Sequence, residues 1–371
     1  VFLPELRQTS ILNGATAVNI CLAAFTIIVT CNFYSFFNER ISVNFNTSFA
    51  LNSLIEKVYP FGVLLAISVV IYIYIYFGHP SEYGQDRFYY WNHVAPKWGN
   101  DVRLFIEQSS FILGCIFGKK RNKFVLAVFV LGVISQSLVG EKFTGIFQML
   151  LFFTMCSIIT SGSQVRNKIF SLRAFIILSI LISLFFLLVF KSYFSLSGSS
   201  ELAISSLLTR LTSQSQLWWG LYNHSAYEAQ SFDYIKNHLF GLFTSDEFTG
   251  MNYLMSLVMP YDLFRGYYHS GIALTMAFPA NIIYFFGSIF ALVVCGFLAF
   301  FLALAFWFTT ITLKGRDYFL IFVTMKVYYI AIQFILMGRV YLLFEWKIIL
   351  LLMPLLLAIF VQYKNRGRNS D

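Results

Sequence analysis

Long apolar runs are the feature that most constrains the fold of this chain. A helix of about twenty residues spans the hydrocarbon of a bilayer and satisfies its own backbone hydrogen bonds there. Only 12% of the residues are charged, whereas about a quarter are charged in ordinary soluble domains. The runs therefore predict an all-α, polytopic membrane helical bundle with about nine or more transmembrane helices. They lie at residues 12–37, 58–77, 103–118, 124–140, 143–161, 171–190, 279–308, 318–337 and 346–363.

A polar stretch divides these apolar runs into two groups. Residues 1–190 hold about six predicted membrane helices and residues 271–371 hold about three, whereas residues 191–270 form one large loop. Apolar residues around Leu208 recur at spacings of three and four, which predicts a short amphipathic helix. Pro260 favours the first position of a second short helix. We therefore expect N-terminal membrane helices, a polar loop with short helices, and C-terminal membrane helices.

Clusters of basic residues in short loops predict the orientation of the chain. An excess of Lys and Arg marks cytoplasmic loops, and all the clusters fall on one side of the predicted bundle. This side is predicted to be cytoplasmic, which places residues 191–270 outside. The same count places the N-terminus outside, which indicates either a preceding segment or a miscounted weak run; no secretory signal peptide is predicted after Val1. The clusters are Lys119, Lys120, Arg121 and Lys123; Arg166, Lys168 and Arg173; Lys314 and Arg316; and Lys364, Arg366 and Arg368.

Net charge and short motifs exclude several classes of function. The formal net charge of +9 comes largely from these loops, so membrane lipids are predicted as partners and nucleic acid is not. The cysteines lie within or at the edges of apolar runs, without metal-binding spacing. The sequence has no Asp-x-Asp, no glycine-rich phosphate loop, no His-Glu-x-x-His and no Gly-x-Ser-x-Gly. We therefore predict neither a metal ion nor another cofactor.

The large loop carries the first candidates for a functional site. Arg210, Gln214 and Trp218 are spaced by four residues and would share one stripe of a helix. An arginine can bind phosphate oxygens through two parallel hydrogen bonds. The tryptophan and its neighbouring tryptophan suit the lipid headgroup region, where an indole keeps its ring apolar and its N–H wet. His224 and His238 have no matching partner at helical spacing and are interpreted as structural.

A second set of candidates follows Pro260. Asp262, Arg265 and His269 lie at spacings of three and four, so they would share one face of the predicted short helix. The imidazole of His269 is either a general base or a hydrogen-bonded structural group. This set places a cation and a proton acceptor beside each other at the predicted outer boundary of the membrane.

Two predicted outer turns each add one basic residue. Arg339 lies between the last two apolar runs, where its guanidinium either binds an external anion or pairs with Glu345. Lys142 has the same two alternatives, because Glu141 precedes it. Both are therefore candidates for binding a substrate phosphate.

Three stretches of the sequence hold these candidates: Gly-Glu-Lys-Phe-Thr-Gly at 140–145, Arg210 with Gln214 and Trp218, and His-Ser-Gly-Ile-Ala-Leu at 269–274 running into Ile-Tyr-Phe-Phe-Gly at 283–287. Together they resemble the pattern of bacterial O-antigen polymerases of the Wzy type and the related O-antigen ligases. In those families a basic residue, an Arg, and a polar or His residue before a glycine-containing helix frame the lipid pyrophosphate. Lys142 stands where an Arg is more usual.

The resemblance implies a glycosyltransferase C-like bundle in a bacterial inner membrane. It implies a metal-independent glycosyltransferase that polymerises oligosaccharide repeat units carried on undecaprenyl pyrophosphate, with a chain-length regulator as a protein partner. His269, Arg210 and Arg265 would be catalytic. Lys142, Arg339, Trp218 and Gln214 would bind substrate. Polymerase and ligase are not separated by these residues.

Two other functions stay open at this point. A flippase or exporter of the same lipid-linked glycan would use the basic groups for binding alone, and it predicts ionisable residues deep within several apolar runs. A structural subunit of a polysaccharide assembly complex predicts that no single polar residue matters. Most charges in the sequence lie at the ends of the apolar runs, which favours the enzyme.

Overall fold

The computed structural model describes most of the chain and is helical over those residues, without a strand among them. The all-α prediction is confirmed for this part. The described residues are 13–40, 49–83, 90–140, 144–161, 198–212, 216–224, 229–240, 248–270, 277–315 and 317–337, with the single residues 183, 187, 190, 194, 274, 340 and 353. In chain order the α-helices are α1 (Asn13–Arg40), α2 (Phe49–Phe77), α3 (Lys97–Lys120), α4 (Lys123–Leu138), α5 (Thr144–Thr160), α6 (Ser200–Thr212), α7 (Gln216–His224), α8 (Phe232–His238), α9 (Met251–Val258), α10 (Tyr261–Ser270), α11 (Ala280–Gly315) and α12 (Tyr318–Met337).

Within the described residues, α1, α2, α11 and α12 are long and apolar enough to cross a membrane, by length and composition. These four helices correspond to the predicted runs 12–37, 58–77, 279–308 and 318–337. Helix α2 begins at Phe49, earlier than predicted, because it continues through Pro60. A proline is tolerated inside a membrane helix where neighbouring groups satisfy the freed backbone. Helices α4 and α5 are shorter apolar helices at two further predicted positions.

The predicted runs 171–190 and 346–363 lie almost entirely outside the described residues. Lys142, Gln214 and Arg339 also lie outside the described residues. The prediction of nine or more spans and of a glycosyltransferase C-like arrangement therefore stays a prediction.

The chain divides into two compact units. Unit 1 comprises residues 1–43, 193–309 and 326–371, and unit 2 comprises residues 44–192 and 310–325. Unit 1 contains the short helices α6 to α10 of the predicted polar loop. One apolar core in unit 1 joins α1, α7, α9 and α10 to α11 and α12.

Close contact between α3 and α5 organises unit 2. A Cβ on Gly114 of α3 would lie 2.5 Å from the carbonyl oxygen of Phe153, and a Cβ on Gly118 would lie 2.7 Å from that of Ser157. The contacts advance along both helices together, so α3 and α5 run parallel, and α4, which joins them in the chain, runs antiparallel to α3. The absence of side chains at these two positions lets the helix backbones approach, as in small-residue contacts of membrane helices.

Alanine at Gly114 is expected to destabilise the protein by about 1–3 kcal/mol, because the new methyl group meets rigid backbone. The matched control is Gly62→Ala in α2, where nothing lies within 4 Å of the added Cβ. This control should be neutral or slightly stabilising, since alanine favours a helix interior. Thermal unfolding of both variants in detergent measures the difference. Equal melting temperatures for Gly114→Ala and wild type would contradict the packing described here.

A buried carboxylate ties three helices of unit 2 together. The Glu56 side chain on α2 is 1% exposed and forms ion pairs with Lys119 and, at 2.6 Å, with Lys120 at the end of α3. The hydroxyl of Tyr318, the first residue of α12, donates to the same carboxylate over 3.2 Å. We refer to these four residues as the Glu56 cluster. Two of the lysines that the sequence analysis assigned to orientation alone thus also neutralise a buried charge.

Candidate functional site

Helix α10 carries two of the predicted catalytic residues and begins directly after Pro260. The Pro260 carbonyl accepts the N–H of Phe264 over 2.9 Å, so the proline precedes the first helical residue instead of occupying it. The fully buried Phe264 ring packs edge-on against Phe248, with 4.8 Å between ring centroids. Phe248 also contacts Tyr268 one turn further along α10. This aromatic packing holds one face of α10 against the rest of unit 1 and leaves the opposite face exposed.

The exposed face of α10 holds Tyr261, Arg265 and His269, one turn apart. The Arg265 guanidinium lies 5.1 Å from the centroid of the Tyr261 ring, a cation–π geometry that keeps the side chain along the helix. The His269 ring meets Tyr268 edge-on at 5.7 Å. Asp262 is also exposed on this helix. The face therefore presents a cation and an accessible imidazole one helical turn apart, with the guanidinium directed towards Tyr261.

Three tyrosine hydroxyls meet where α8, α9 and α11 come together. Tyr234 hydrogen-bonds through its hydroxyl to that of Tyr284 over 3.0 Å and also to that of Tyr253. Burial, and then the hydrogen bond with Tyr234, raises the pKa of Tyr253 above its usual range. The Tyr253 hydroxyl thus stays protonated at neutral pH and remains a hydrogen-bond donor.

His238 packs against this tyrosine cluster. Its ring stacks on Tyr253, with 4.1 Å between centroids and 22° between planes, and lies 4.5 Å from the ring of Tyr234. The His238 carbonyl accepts the N–H of Gly250 over 2.6 Å, which joins the end of α8 to the start of α9. From the sequence, His238 was interpreted as a structural residue with no side chain of matching chemistry at helical spacing. Tyr234 lies four residues before His238 on α8, so helical spacing could have indicated this contact, whereas Tyr253 lies on α9 and gives no such signal.

The tryptophan pair of α7 lies inside unit 1. Trp218 and Trp219 are each 6% exposed and belong to the apolar core, and the Trp219 indole N–H donates to Thr16 Oγ1 on α1 over 2.9 Å. This burial within protein was not predicted from the sequence. The reason is that α7 packs against α1 and α9, which bury both indoles in protein. Substrate binding by Trp218 stays a prediction.

The remaining predicted site residues are only partly described. Arg210 lies on α6, but the structure does not describe its side chain. Lys142, Gln214 and Arg339 lie wholly outside the described residues. The predicted single stripe from Arg210 through Gln214 to Trp218 falls across this gap, because α6 ends at Thr212 and α7 begins at Gln216. Among the described residues, Arg265 and His269 share the exposed face of α10, but the Arg265 guanidinium contacts Tyr261, one turn away from His269 in the opposite direction. In the described ranges no three His, Cys, Asp or Glu side chains group to hold a metal ion.

Comparison with known proteins adds one match. A family model described as "Family of unknown function (DUF6418)" matches residues 244–352. No curated protein and no solved structure matches the chain. The matched segment contains α9 and α10 with Arg265 and His269, and it also contains Tyr253 and Tyr284 of the tyrosine cluster.

Proposed function

We propose that the protein polymerises lipid-linked oligosaccharide repeat units on the outer face of a bacterial inner membrane. The single observation that carries the proposal is the exposed face of α10, which holds Arg265 and His269 one turn apart. The opposite face of this helix packs against Phe248. The proposed fold is a glycosyltransferase C-like bundle of nine or more spans. The proposed donor is an oligosaccharide on undecaprenyl pyrophosphate, and the acceptor is a second lipid-linked unit.

The reaction forms one glycosidic bond and breaks one sugar–phosphate bond. A hydroxyl oxygen of the acceptor attacks the anomeric carbon of the donor, and its proton passes to the imidazole of His269. The bond between the anomeric carbon and the pyrophosphate breaks, and the electron pair leaves with the pyrophosphate. Arg265 stabilises the charge that develops on this leaving group. Arg210, Lys142 and Arg339 are the further basic residues proposed to contact it.

The tyrosine cluster suits the sugar part of such a substrate. Tyr234 and Tyr253 are only partly buried, and their hydroxyls both donate and accept hydrogen bonds. Neutral hydroxyl groups bind sugars without a net charge, whereas the α10 face supplies the positive charge for a phosphate. The two kinds of group therefore divide the recognition of a lipid pyrophosphate glycan between them.

A flippase or exporter of the same lipid-linked glycan is the second candidate, and one observation favours it. Arg103 and Glu107 are buried inside α3, and their side chains are 11% and 7% exposed. Arg103 is at the end of the predicted apolar run 103–118, whereas Glu107 lies inside that run. The helix begins at Lys97, so both ionisable groups lie within it. In the proposed bundle α3 is one of the spans, and buried ionisable groups within a span are typical of substrate pathways.

Replacement of Arg265 tests the role of its planar guanidinium. We expect Arg265→Ala to lower polymer yield, and we expect Arg265→Lys not to restore it. A lysine keeps the charge but loses the two parallel donors that bind phosphate oxygens. The length distribution of surface glycan on a gel is the measurement. Because Arg265 is exposed, membrane abundance should not change. Full-length ladders from the lysine variant would limit Arg265 to general attraction of an anionic substrate.

A deletion strain tests the proposed function in cells. We expect its surface glycan to carry single repeat units without ladders, because the lipid-linked unit is still made and moved but no longer joined. Loss of all repeat units, with lipid-linked units accumulating on the cytoplasmic side, would instead favour the flippase. Complementation by the wild-type chain should restore the ladder and serves as the control.

A further inference from the structure

One end of unit 2 collects basic side chains from α2, α3 and α4. Lys119 and Lys120 at the end of α3 pair with Glu56 of α2, which brings the end of α3 beside the first turns of α2. Glu56 and Asp317 are the carboxylates described at this end, and both are buried. The surface therefore carries excess positive charge. Its basic residues are Lys57 on α2, Lys119 and Lys120 on α3, Arg121 in the turn that follows, and Lys123 at the start of α4.

Two of these cations, Arg121 and Lys123, occupy positions that the local backbone disfavours. Arg121 ends α3 with a φ of 52°, in the left-handed conformation that glycine adopts most readily. Lys123 is the first residue of α4, where a positive charge opposes the helix dipole. The predicted orientation needs positive charge in this turn, but it sets no requirement at these two positions. An anion bound to both side chains would offset the local cost.

Uncharged contacts hold the Arg121 guanidinium at the surface. Its Nη2 donates to Ser161 Oγ, just after α5, over 3.3 Å, and its Cζ lies 5.6 Å from the centroid of the Phe117 ring. Neither partner neutralises the guanidinium. Arg121 is exposed, as are Lys57 and Lys123. The Arg121 side chain is thus positioned by neighbours and still able to donate to an external anion.

An exposed aromatic pair continues this basic surface along α2 and α4. Phe61 and Phe124 are 61% and 37% exposed, with 5.1 Å between their ring centroids. Lys57 lies one turn before Phe61, and Lys123 immediately precedes Phe124, so a cation adjoins a ring on each helix. Further exposed apolar side chains follow on the same two helices, at Leu65 and Val130. This change from basic to apolar within one turn matches the boundary between a lipid headgroup and its acyl chains.

We propose that Lys57, Arg121 and Lys123, with Phe61 and Phe124, bind an anionic phospholipid. The headgroup phosphate accepts hydrogen bonds from the basic side chains, and the acyl chains lie against the aromatic pair. Basic clusters beside a membrane helix are typical of binding to anionic lipids in the cytoplasmic leaflet, which is the predicted side of this turn. The exposed rings favour a lipid over a soluble phosphate or an acidic protein. The site does not depend on glycosyl transfer.

Native mass spectrometry of the purified protein, with lipids added in detergent, tests this site. The probes are phosphatidylglycerol, which is anionic, and phosphatidylcholine, which has no net charge at neutral pH. We expect the protein to bind phosphatidylglycerol more tightly. We expect Arg121→Gly and Lys123→Gln each to weaken that binding about fivefold, the usual contribution of one basic residue near a lipid surface. Binding of phosphatidylcholine should not change.

Neither variant should destabilise the fold. Glycine suits the left-handed backbone at position 121, and glutamine removes a charge that opposes the helix dipole at position 123. Melting temperatures without added lipid should therefore equal or exceed that of wild type. The matched control is Lys97→Gln, which removes an exposed charge at the opposite end of α3. It should leave the affinity for phosphatidylglycerol unchanged.

The possible outcomes separate this site from general attraction and from the proposed reaction. Weaker binding in Arg121→Gly and Lys123→Gln, with no change in Lys97→Gln, supports the site whether or not the protein polymerises glycans. Wild-type affinity in both variants overturns it. An equal loss in Lys97→Gln also overturns it, because net charge would then account for the attraction. Inorganic phosphate binding as tightly as phosphatidylglycerol would show that the occupant is not a lipid.

Discussion

Glutamine in place of His269 is expected to lower polymer yield by on the order of a hundred- to ten-thousand-fold, the usual contribution of general acid–base catalysis. The imidazole is exposed on α10 and meets Tyr268 edge-on, so its loss should leave the fold of unit 1 unchanged. Glutamine preserves polarity and approximate size but cannot accept the hydroxyl proton. The measurement is the surface-glycan ladder, together with membrane abundance of the protein in the same cells.

The control for this substitution is His93→Gln, which changes another exposed histidine, in unit 2. It should leave both ladder and abundance unchanged. If His269 were structural, its replacement would lower abundance in proportion to product. Normal ladders from His269→Gln at normal abundance would remove this residue from the mechanism and leave the arginines as the candidates.

The second large effect is expected in the Glu56 cluster. Replacement of Lys119 and Lys120 together by methionine should cost about 3–5 kcal/mol of stability, the usual range for breaking a buried ion pair by removing one side. The Glu56 carboxylate would keep only the hydrogen bond from Tyr318. Addition of Glu56→Met to this double variant should recover most of the loss, because no buried charge then lacks a partner.

Unfolding of the purified variants in mixed detergents measures this loss and recovery. Lys57→Met is the matched control, because Lys57 follows Glu56 on α2 but has an exposed side chain. It should remain close to wild type, since an exposed charge contributes little. A double lysine variant as stable as wild type would show that the carboxylate is adequately solvated without them. Failure of Glu56→Met to recover stability would point to lost packing of the lysine side chains instead.

Apolar runs and helical spacings in the sequence predicted individual helices, because these depend on residues close together in the chain. The run 318–337 coincides with α12, because the Asp317 carboxylate accepts the N–H groups of Phe319 and Leu320 and caps the helix at that point. Helix α10 followed from Pro260 and from the three- and four-residue spacing after it. Its exposed residues were therefore predictable as neighbours on one helix.

Tertiary contacts account for what the sequence did not predict. Helix α3 begins at Lys97 instead of residue 103, because Arg103 and Glu107 are buried against other helices and do not mark a helix end. Glu56 and Lys119 are 63 residues apart, and Tyr234 and Tyr284 are 50 residues apart. No periodicity links residues at such separations. The tyrosine cluster and the Glu56 cluster could therefore be found only in the folded chain.

The proposed reaction is tested most directly with purified protein in lipid vesicles. Undecaprenyl-pyrophosphate-linked repeat units are the sole substrate, and mass spectrometry follows both the glycan and the released carrier. We expect carrier-linked products of two or more repeat units, with one undecaprenyl pyrophosphate released for each new glycosidic bond. Transfer of intact lipid-linked units across the bilayer, without a new glycosidic bond and without released carrier, would contradict it.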